Sequence, residues 1–384
     1  MLELTRRELI SSAIAAAGLM ATSPISSAAA PKKPIVYWTP ELSGDALLRL
    51  YQLINKDITG RVALKLHTGE PGGPNILPRE WIKQFQRAVP QSTIVESNVL
   101  YKSPRQTSEG HRRVLAQNGW NFCPVDILDE EGDTLLPVKG GMHLKQFHVG
   151  KHFFNYDSMV VLTHFKGHGM GGFGGSLKNI AIGCASGAHG KAEVHAVKAD
   201  GSWTTGAAFM EHMADAGKGI TEHFGKRIVY LNVLRNMSVD CDCAGVAASE
   251  PTMPDLGILA STDLVAIDQA SIDIVYAMPK FMNHSLVKRI ESREGLRQLS
   301  AMKELGMGTG QYEIVRVLDK KPGQRPRTPD QMIPNGEPSG EDQQKATRAT
   351  LVAFCLWLSE SRHWQFCAYR PSGSAVSPSD NPLS

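Results

Sequence analysis

Two cysteines one residue apart, in Asp240-Cys241-Asp242-Cys243, are the first chemically suggestive pattern in this chain. In an extended segment, side chains two apart share a face, so Cys241 and Cys243 can address one soft metal ion or cluster, with Cys184 as a third thiolate. In an oxidising compartment Cys184 can instead bond to either of them as a disulfide. The spacing leaves both open. Six cysteines in 384 residues are too few for a disulfide scaffold.

Histidine is the second outlier. Seven of the 13 (His143, His148, His152, His164, His168, His189 and His195) fall between positions 143 and 195, where even scattering places about two. Imidazole titrates near neutrality and ligates metals, so the cluster predicts a metal, anion or proton-transfer site. The third outlier is the glycine-rich run from Thr163 to Asn179, which leaves the end of a predicted apolar strand at 159–162. Ligands of open α/β sheets bind beyond the carboxyl ends of strands, so a pocket is expected there. Gly172, Gly174 and Gly175 let backbone N–H groups approach a ligand, while Lys166, Lys178, Asn179, Lys191 and His195 supply charge and polar atoms. A small anion such as a carboxylate is the expected partner.

Nucleotide motifs do not account for this run. Residues 169–174 match G-x-G-x-x-G in letters, but the first glycine lies seven residues past Leu162 rather than at the strand end. The phosphate-loop pattern fails because Gly175 occupies its lysine position.

The elements that must position these groups read as alternating strands and helices. Strands are predicted at 61–67 and 93–96 around a helix whose Trp81, Phe85 and Val89 recur every four residues. Further strands at 158–163 and 227–233 flank a helix with Phe209, Met213, Ile220 and Phe224 on one face. Asp263 is expected to cap the next helix, which is apolar almost all round. Asp268 lies inside that helix, where a carboxylate is costly unless paired, so it is assigned to the pocket. The fold class is α/β: a layered, mainly parallel sheet with helices on both faces.

Both ends differ from this body. Arg6-Arg7 precede a short apolar run at 10–20 and small residues at 26–30, the pattern of a twin-arginine export signal. Eleven helical residues rise only about 16 Å, too little for a hydrocarbon core of about 30 Å, so no stable membrane anchor is expected after cleavage. The expected location is periplasmic or otherwise extracytoplasmic. Residues 319–345 hold five Pro, three Gly and ten charged residues, so 319–384 read as a flexible linker and tail. Removing 1–30 and the tail leaves 31–318 as one large domain or two halves. Forty-one basic against 38 acidic residues give a net charge of +3, which argues against a nucleic-acid partner.

As an ordered set, several segments resemble the bacterial and archaeal DUF362 proteins: His164-Phe-Lys-Gly-His168, Gly172-Phe-Gly-Gly175 leading to Lys178-Asn179, and Gly183-Cys184-Ala-Ser186. Gly190-Lys191 with His195, Cys241-Asp-Cys243, Asp255-Leu-Gly257 and the run from Ser261 to Ala270 complete the set, over roughly 60–318. The resemblance implies a shared fold and a metal ion or iron–sulfur cluster, without naming a reaction. Members with a ferredoxin module carry repeated C-x-x-C spacings, and this chain has none, so a ferredoxin-type cluster is not expected. A more distant similarity, to nickel-pincer lactate racemases, implies catalytic roles for His164 or His168 with Lys178 on small hydroxy acids. The leading expectation is an exported, metal- or iron–sulfur-associated protein with redox or small-acid chemistry. The alternatives are a cofactor-free binding protein for an anionic ligand and a racemase-like enzyme.

Overall fold

Short β-branched runs separated by amphipathic helices pair here into a single eight-stranded sheet, in a computed structural model that describes residues 32–318. The segments read from sequence as an export signal and as a linker and tail therefore lie outside the described residues. In chain order, β1 (Ile35–Thr39) and α1 (Gly44–Tyr51) precede β2 (Val62–Lys65), α2 (Arg79–Ala88), β3 (Ser92–Glu96), α3 (Ser108–Gln117) and β4 (Val125–Ile127). A hairpin of β5 (Asp133–Pro137) and β6 (Gln146–Gly150) follows, then β7 (Ser158–His164). Next come β8 (Lys166–His168), β9 (Gly172–Gly174), α4 (Ser176–Cys184), α5 (Gly190–Val194) and α6 (Ala207–Phe224). The described chain ends with β10 (Ile228–Leu234), β11 (Gly257–Ser261), α7 (Leu264–Ala277), α8 (Lys280–Ser292), α9 (Arg297–Glu304) and β12 (Glu313–Arg316).

The strand order is β12-β1-β11-β10-β7-β2-β3-β4. Five neighbouring pairs are parallel, and only β11 pairs antiparallel, with β1 and β10. Alternation along each strand divides the core in two. Met159 and Val161 of β7 face one hydrophobic cluster, with α4, α6 and α7; Val160 and Leu162 face the other, with α1 and α2. Helices thus cover both faces, as the strand patterning predicts.

Chain order places the site. From β2 the sheet grows through β3 to β4 on one side, whereas β7 and then β10 lie on the other, so the connections reverse between β2 and β7. At such a switch point the loops leaving adjacent parallel strands diverge and open a crevice at the carboxyl ends. Lys65 ends β2, Glu96 ends β3 and His164 ends β7.

The glycine-rich run differs from the simple loop its composition suggests. It folds as a separate antiparallel pair, β8 with β9, in which Lys166 opposes Gly174 and His168 opposes Gly172. Gly167 is required by close approach: a Cβ there would sit 2.2 Å from the Val239 carbonyl oxygen. Its N–H donates to Ser238 O at 2.8 Å, which docks the hairpin on the segment leading to Cys241.

Candidate functional site

A cavity of about 310 Å³ opens at the switch point, lined by the ends of β2, β3 and β7, the β8–β9 hairpin, α4, and the segment around Cys241. Its polar wall on the β3 side is a closed network. Lys65 Nζ donates to Glu96 Oε2 at 3.1 Å, and Arg105 Nη2 donates to Glu96 Oε1 at 3.1 Å. The other Arg105 nitrogens reach Glu70 Oε1 at 3.0 Å and His111 Nε2 at 3.1 Å. Burial opposes ionisation of Glu96, but Lys65 and Arg105 win and hold its carboxyl well below the usual range.

The opposite wall carries the sulfurs. Asp242, turned away behind Cys241, accepts from His164 Nδ1 at 2.9 Å and pairs with Lys166 Nζ at 3.0 Å. His164 Nε2 lies 2.7 Å from Arg235 O, so both of its ring nitrogens are committed to acceptors. Lys178, projecting from α4, puts Nζ 3.6 Å from Cys241 Sγ. The Cys243 thiol donates to Cys241, and this bond, opposed by burial and aided by Lys178 and Lys166, holds the Cys241 thiol well below its ordinary value. Donating that bond, together with burial, drives Cys243 upward.

His168 completes a group with Cys241 and Cys243, whose ligand atoms all lie within 4.8 Å of one another. Two thiols and an imidazole at that spacing suit a thiophilic ion such as zinc. His168 Nδ1 accepts N–H bonds from Gly171 at 2.8 Å and Met170 at 3.3 Å, so its neutral ring carries the proton on Nε2. Burial, reinforced by Lys178, pushes His168 down to about 3.

Between these walls lie Lys191 and His195. Lys191 Nζ donates to Ser97 Oγ at 2.6 Å and Ala185 O at 2.8 Å, and burial pushes it down to about 8. Neither Lys178 nor Lys191 has a carboxylate within ion-pair distance among the described residues. His195 Nδ1 donates to Lys191 O at 2.6 Å, while its ring stacks on Phe209 and meets Trp203 edge-on. Burial, then Lys178 and Lys191, bring it down to about 4 against the carbonyl bond that favours its charged form.

The sequence profile of a domain of unknown function, DUF362, matches residues 62–273, more than half of the chain. The chain belongs to this family. No curated protein matches this DUF362 chain in sequence. Among solved structures it is similar to the lactate racemase apoprotein from Thermoanaerobacterium thermosaccharolyticum, at 14% identity and a TM-score of 0.32, covering 53% of this chain and 51% of that one. A protein from Thermotoga maritima gives 11% identity and a TM-score of 0.35, covering 70% of this chain and 60% of the other. The chain thus spans less than two thirds of either.

Several residues of the DUF362 chain take places other than those the sequence suggests. Cys184 is a free, buried thiol pushed up to about 12 by burial, and it stands outside the sulfur group; His168 takes the third position instead. No disulfide links Cys184 with Cys241 or Cys243, and all three are free. Asp268 is structural: it accepts from the N–H groups of Ser176 at 2.8 Å and Leu177 at 2.9 Å, and from Asn232 Nδ2 at 2.9 Å. These bonds cap the start of α4, and Gly175 is glycine because a Cβ would lie 2.5 Å from the Asp268 carboxylate. Gly172 has a φ of +75° and packs against Gly295, away from the cavity lining, whereas Gly174 and Gly175 line it. Asn179 lines the cavity but spends its amide on Leu162 O and Thr163 Oγ1. His164 is held by Asp242 and Arg235 as a clamp on the sulfur segment, which leaves no nitrogen for a substrate.

Of the seven clustered histidines, His143, His148, His152 and His189 pair with carboxylates away from the cavity lining. Sequence reasoning missed Lys65, Glu96, Arg105 and Asp242. Lys65 and Glu96 carried a signal, a charged residue within or ending an otherwise apolar strand, which is costly unless the side chains meet.

Proposed function

We propose that this DUF362 protein binds a small anionic molecule in the cavity at its strand ends and holds a thiophilic metal ion beside it through His168, Cys241 and Cys243. The single observation that carries the anion is the pair of ammonium groups, Lys178 and Lys191, which line the cavity with no carboxylate partner. A cavity of about 310 Å³ is of the size that holds a small molecule. Carboxylates and phosphate monoesters have the right charge. The metal rests on the grouping of two thiols and an imidazole, with the neighbouring lysines stabilising thiolate sulfur.

Binding is tested by thermal unfolding with a panel of carboxylates and inorganic phosphate at millimolar concentration. At least one should raise Tm, and Lys178→Ala or Lys191→Ala should remove the shift; a panel without effect on the folded protein ends the anion reading. Metal analysis of protein purified from an export-competent host tests the second half. Near-stoichiometric metal, lost in Cys241→Ser and kept in Cys184→Ser, is expected, whereas less than about 0.1 equivalent removes the metal centre.

A metal-free form of the same site is the second reading, favoured by His168. Metal-ligating histidines ordinarily donate their second N–H to an acceptor, but Nδ1 here receives backbone N–H groups, so a metal at Nε2 must displace the ring proton. We also propose export by the twin-arginine route, which delivers proteins already folded. Replacing Arg6 and Arg7 by lysine should leave the precursor in the cytoplasm.

A further inference from the structure

His195 is a cavity imidazole whose tautomer is fixed with a bare nitrogen, and unlike His67, whose Nδ1 is tied to the Glu96 carboxylate in the β3-side network, it bonds only a neutral carbonyl. A carbonyl oxygen can only accept, so the 2.6 Å contact with Lys191 O places the ring proton on Nδ1 and leaves the lone pair on Nε2. No protein group bonds to Nε2 among the described residues, and it is absent from the sealed polar atoms that lack partners. The ring is held in place by Phe209, 4.9 Å away and nearly parallel, and by Trp203 at 4.6 Å. His168 cannot serve in the same way, because its Nδ1 lone pair is already taken by Gly171.

A fixed, neutral imidazole beside two ammonium groups is an arrangement for removing a proton from carbon next to a carbonyl. We propose that His195 is the general base of this cavity and that the bound anion is a small 2-oxo acid, deprotonated at C3. The inference rests on the anion-binding reading above. In the step, the C3–H bond breaks and its proton goes to His195 Nε2. The bonding pair forms the C2–C3 double bond, and the carbonyl π pair moves to the C2 oxygen as an enolate. One ammonium group opposes the carboxylate and the other the enolate oxygen. Lys191 suits the second role, since two of its three N–H bonds are spent on Ser97 and Ala185 and one is left. Return of the proton regenerates the acid, so the exchange needs no oxidant, reductant or second substrate.

The test is proton NMR of 2-oxobutyrate with the purified protein in D2O, alongside thermal unfolding with the same compound. The C3 methylene signal should be lost much faster than in buffer. His195→Asn, whose amide can still donate to Lys191 O, should slow this by at least about 100-fold while keeping the 2-oxobutyrate shift in Tm. Should His195→Asn fail to fold, His195→Gln is the second variant, and it should slow exchange to the same degree while keeping the 2-oxobutyrate shift in Tm. Binding of 2-oxobutyrate without exchange, exchange unchanged in His195→Asn, or binding of other anions but not this one would each overturn the proposal and leave the anion-binding reading standing. Failure of every anion to shift Tm removes both.

Discussion

The ammonium of Lys178 stands 3.6 Å from the sulfur of Cys241, although the two residues are 63 positions apart and reach the cavity from different elements. This contact makes Cys241 the thiol that an incoming anion meets beside a positive charge. Iodoacetate, an anion, should therefore alkylate Cys241 faster relative to neutral iodoacetamide than it does a free thiol. Removing the charge in Lys178→Met should cut that preference on the order of tenfold, the scale of one unit charge at short range in a partly buried site. Peptide mass spectrometry reads the ratio at Cys241, with the half-buried Cys123 as internal reference.

Among the described residues Asp242 is the only carboxylate within ion-pair distance of Lys166; it also bonds His164, and all three are buried. Burial opposes its ionisation, yet His164 and Lys166 hold it well below the ordinary range. Asp242→Asn leaves a buried cation without its counter-charge and should cost about 3 kcal/mol in denaturant unfolding. Adding Lys166→Met should return part of that loss, because the stranded charge is then gone. A double variant no more stable than the single one would show that Asp242 acts through the segment's backbone alone.

His111 gives the protein an acid limb. Its Nε2 accepts from Arg105 Nε at 3.1 Å and its Nδ1 lies 3.2 Å from Asn98 Oδ1, so protonation would set a new N–H against a guanidinium. Burial first, then Arg105, push it down to about 3, against 6.5 for an open histidine. Between those values the unfolded chain holds a proton that the native one refuses. The His111 contribution to stability is therefore complete above about pH 6.5 and is lost as pH falls toward 3. His111→Gln should flatten the pH dependence of stability in this window by up to about 1.4 kcal/mol per pH unit. Urea midpoints at pH 7, 6 and 5 measure it.

Gly167→Ala should act on the site more than on the fold. The added methyl meets the Val239 carbonyl at 2.2 Å, and backbone cannot yield as a flexible side chain does. The hairpin must then separate from the segment that carries Cys241, opening the group of His168, Cys241 and Cys243. Metal content and the iodoacetate preference should both fall, while the far-ultraviolet circular dichroism stays close to that of the parent.

Local patterning explains which parts of the fold were legible. The strands around β2, β3, β7 and β10 and the helices between them follow from periodicity, and Asp263 caps α7 through Ala266 N as its position before an apolar run suggests. The site was less legible because its residues answer to partners distant in sequence. Asp268 reads as a pocket carboxylate until the N–H groups of Ser176 and Leu177, 92 and 91 positions away, are seen to occupy it. Cys184 reads as a third sulfur ligand until α4 is seen to turn it into the core.

By itself the sequence determined the alternation of strand and helix, the two-faced burial of the sheet and the family, since all of these depend on residue type at short spacing. The tertiary structure alone decided which polar groups meet. Contacts across the switch point of the sheet depend on strand order and crossover, which no local pattern encodes. That ordering sets His168 rather than Cys184 beside Cys241, gives both nitrogens of His164 to a clamp, and places His195 on the cavity lining with no protein partner at Nε2 among the described residues.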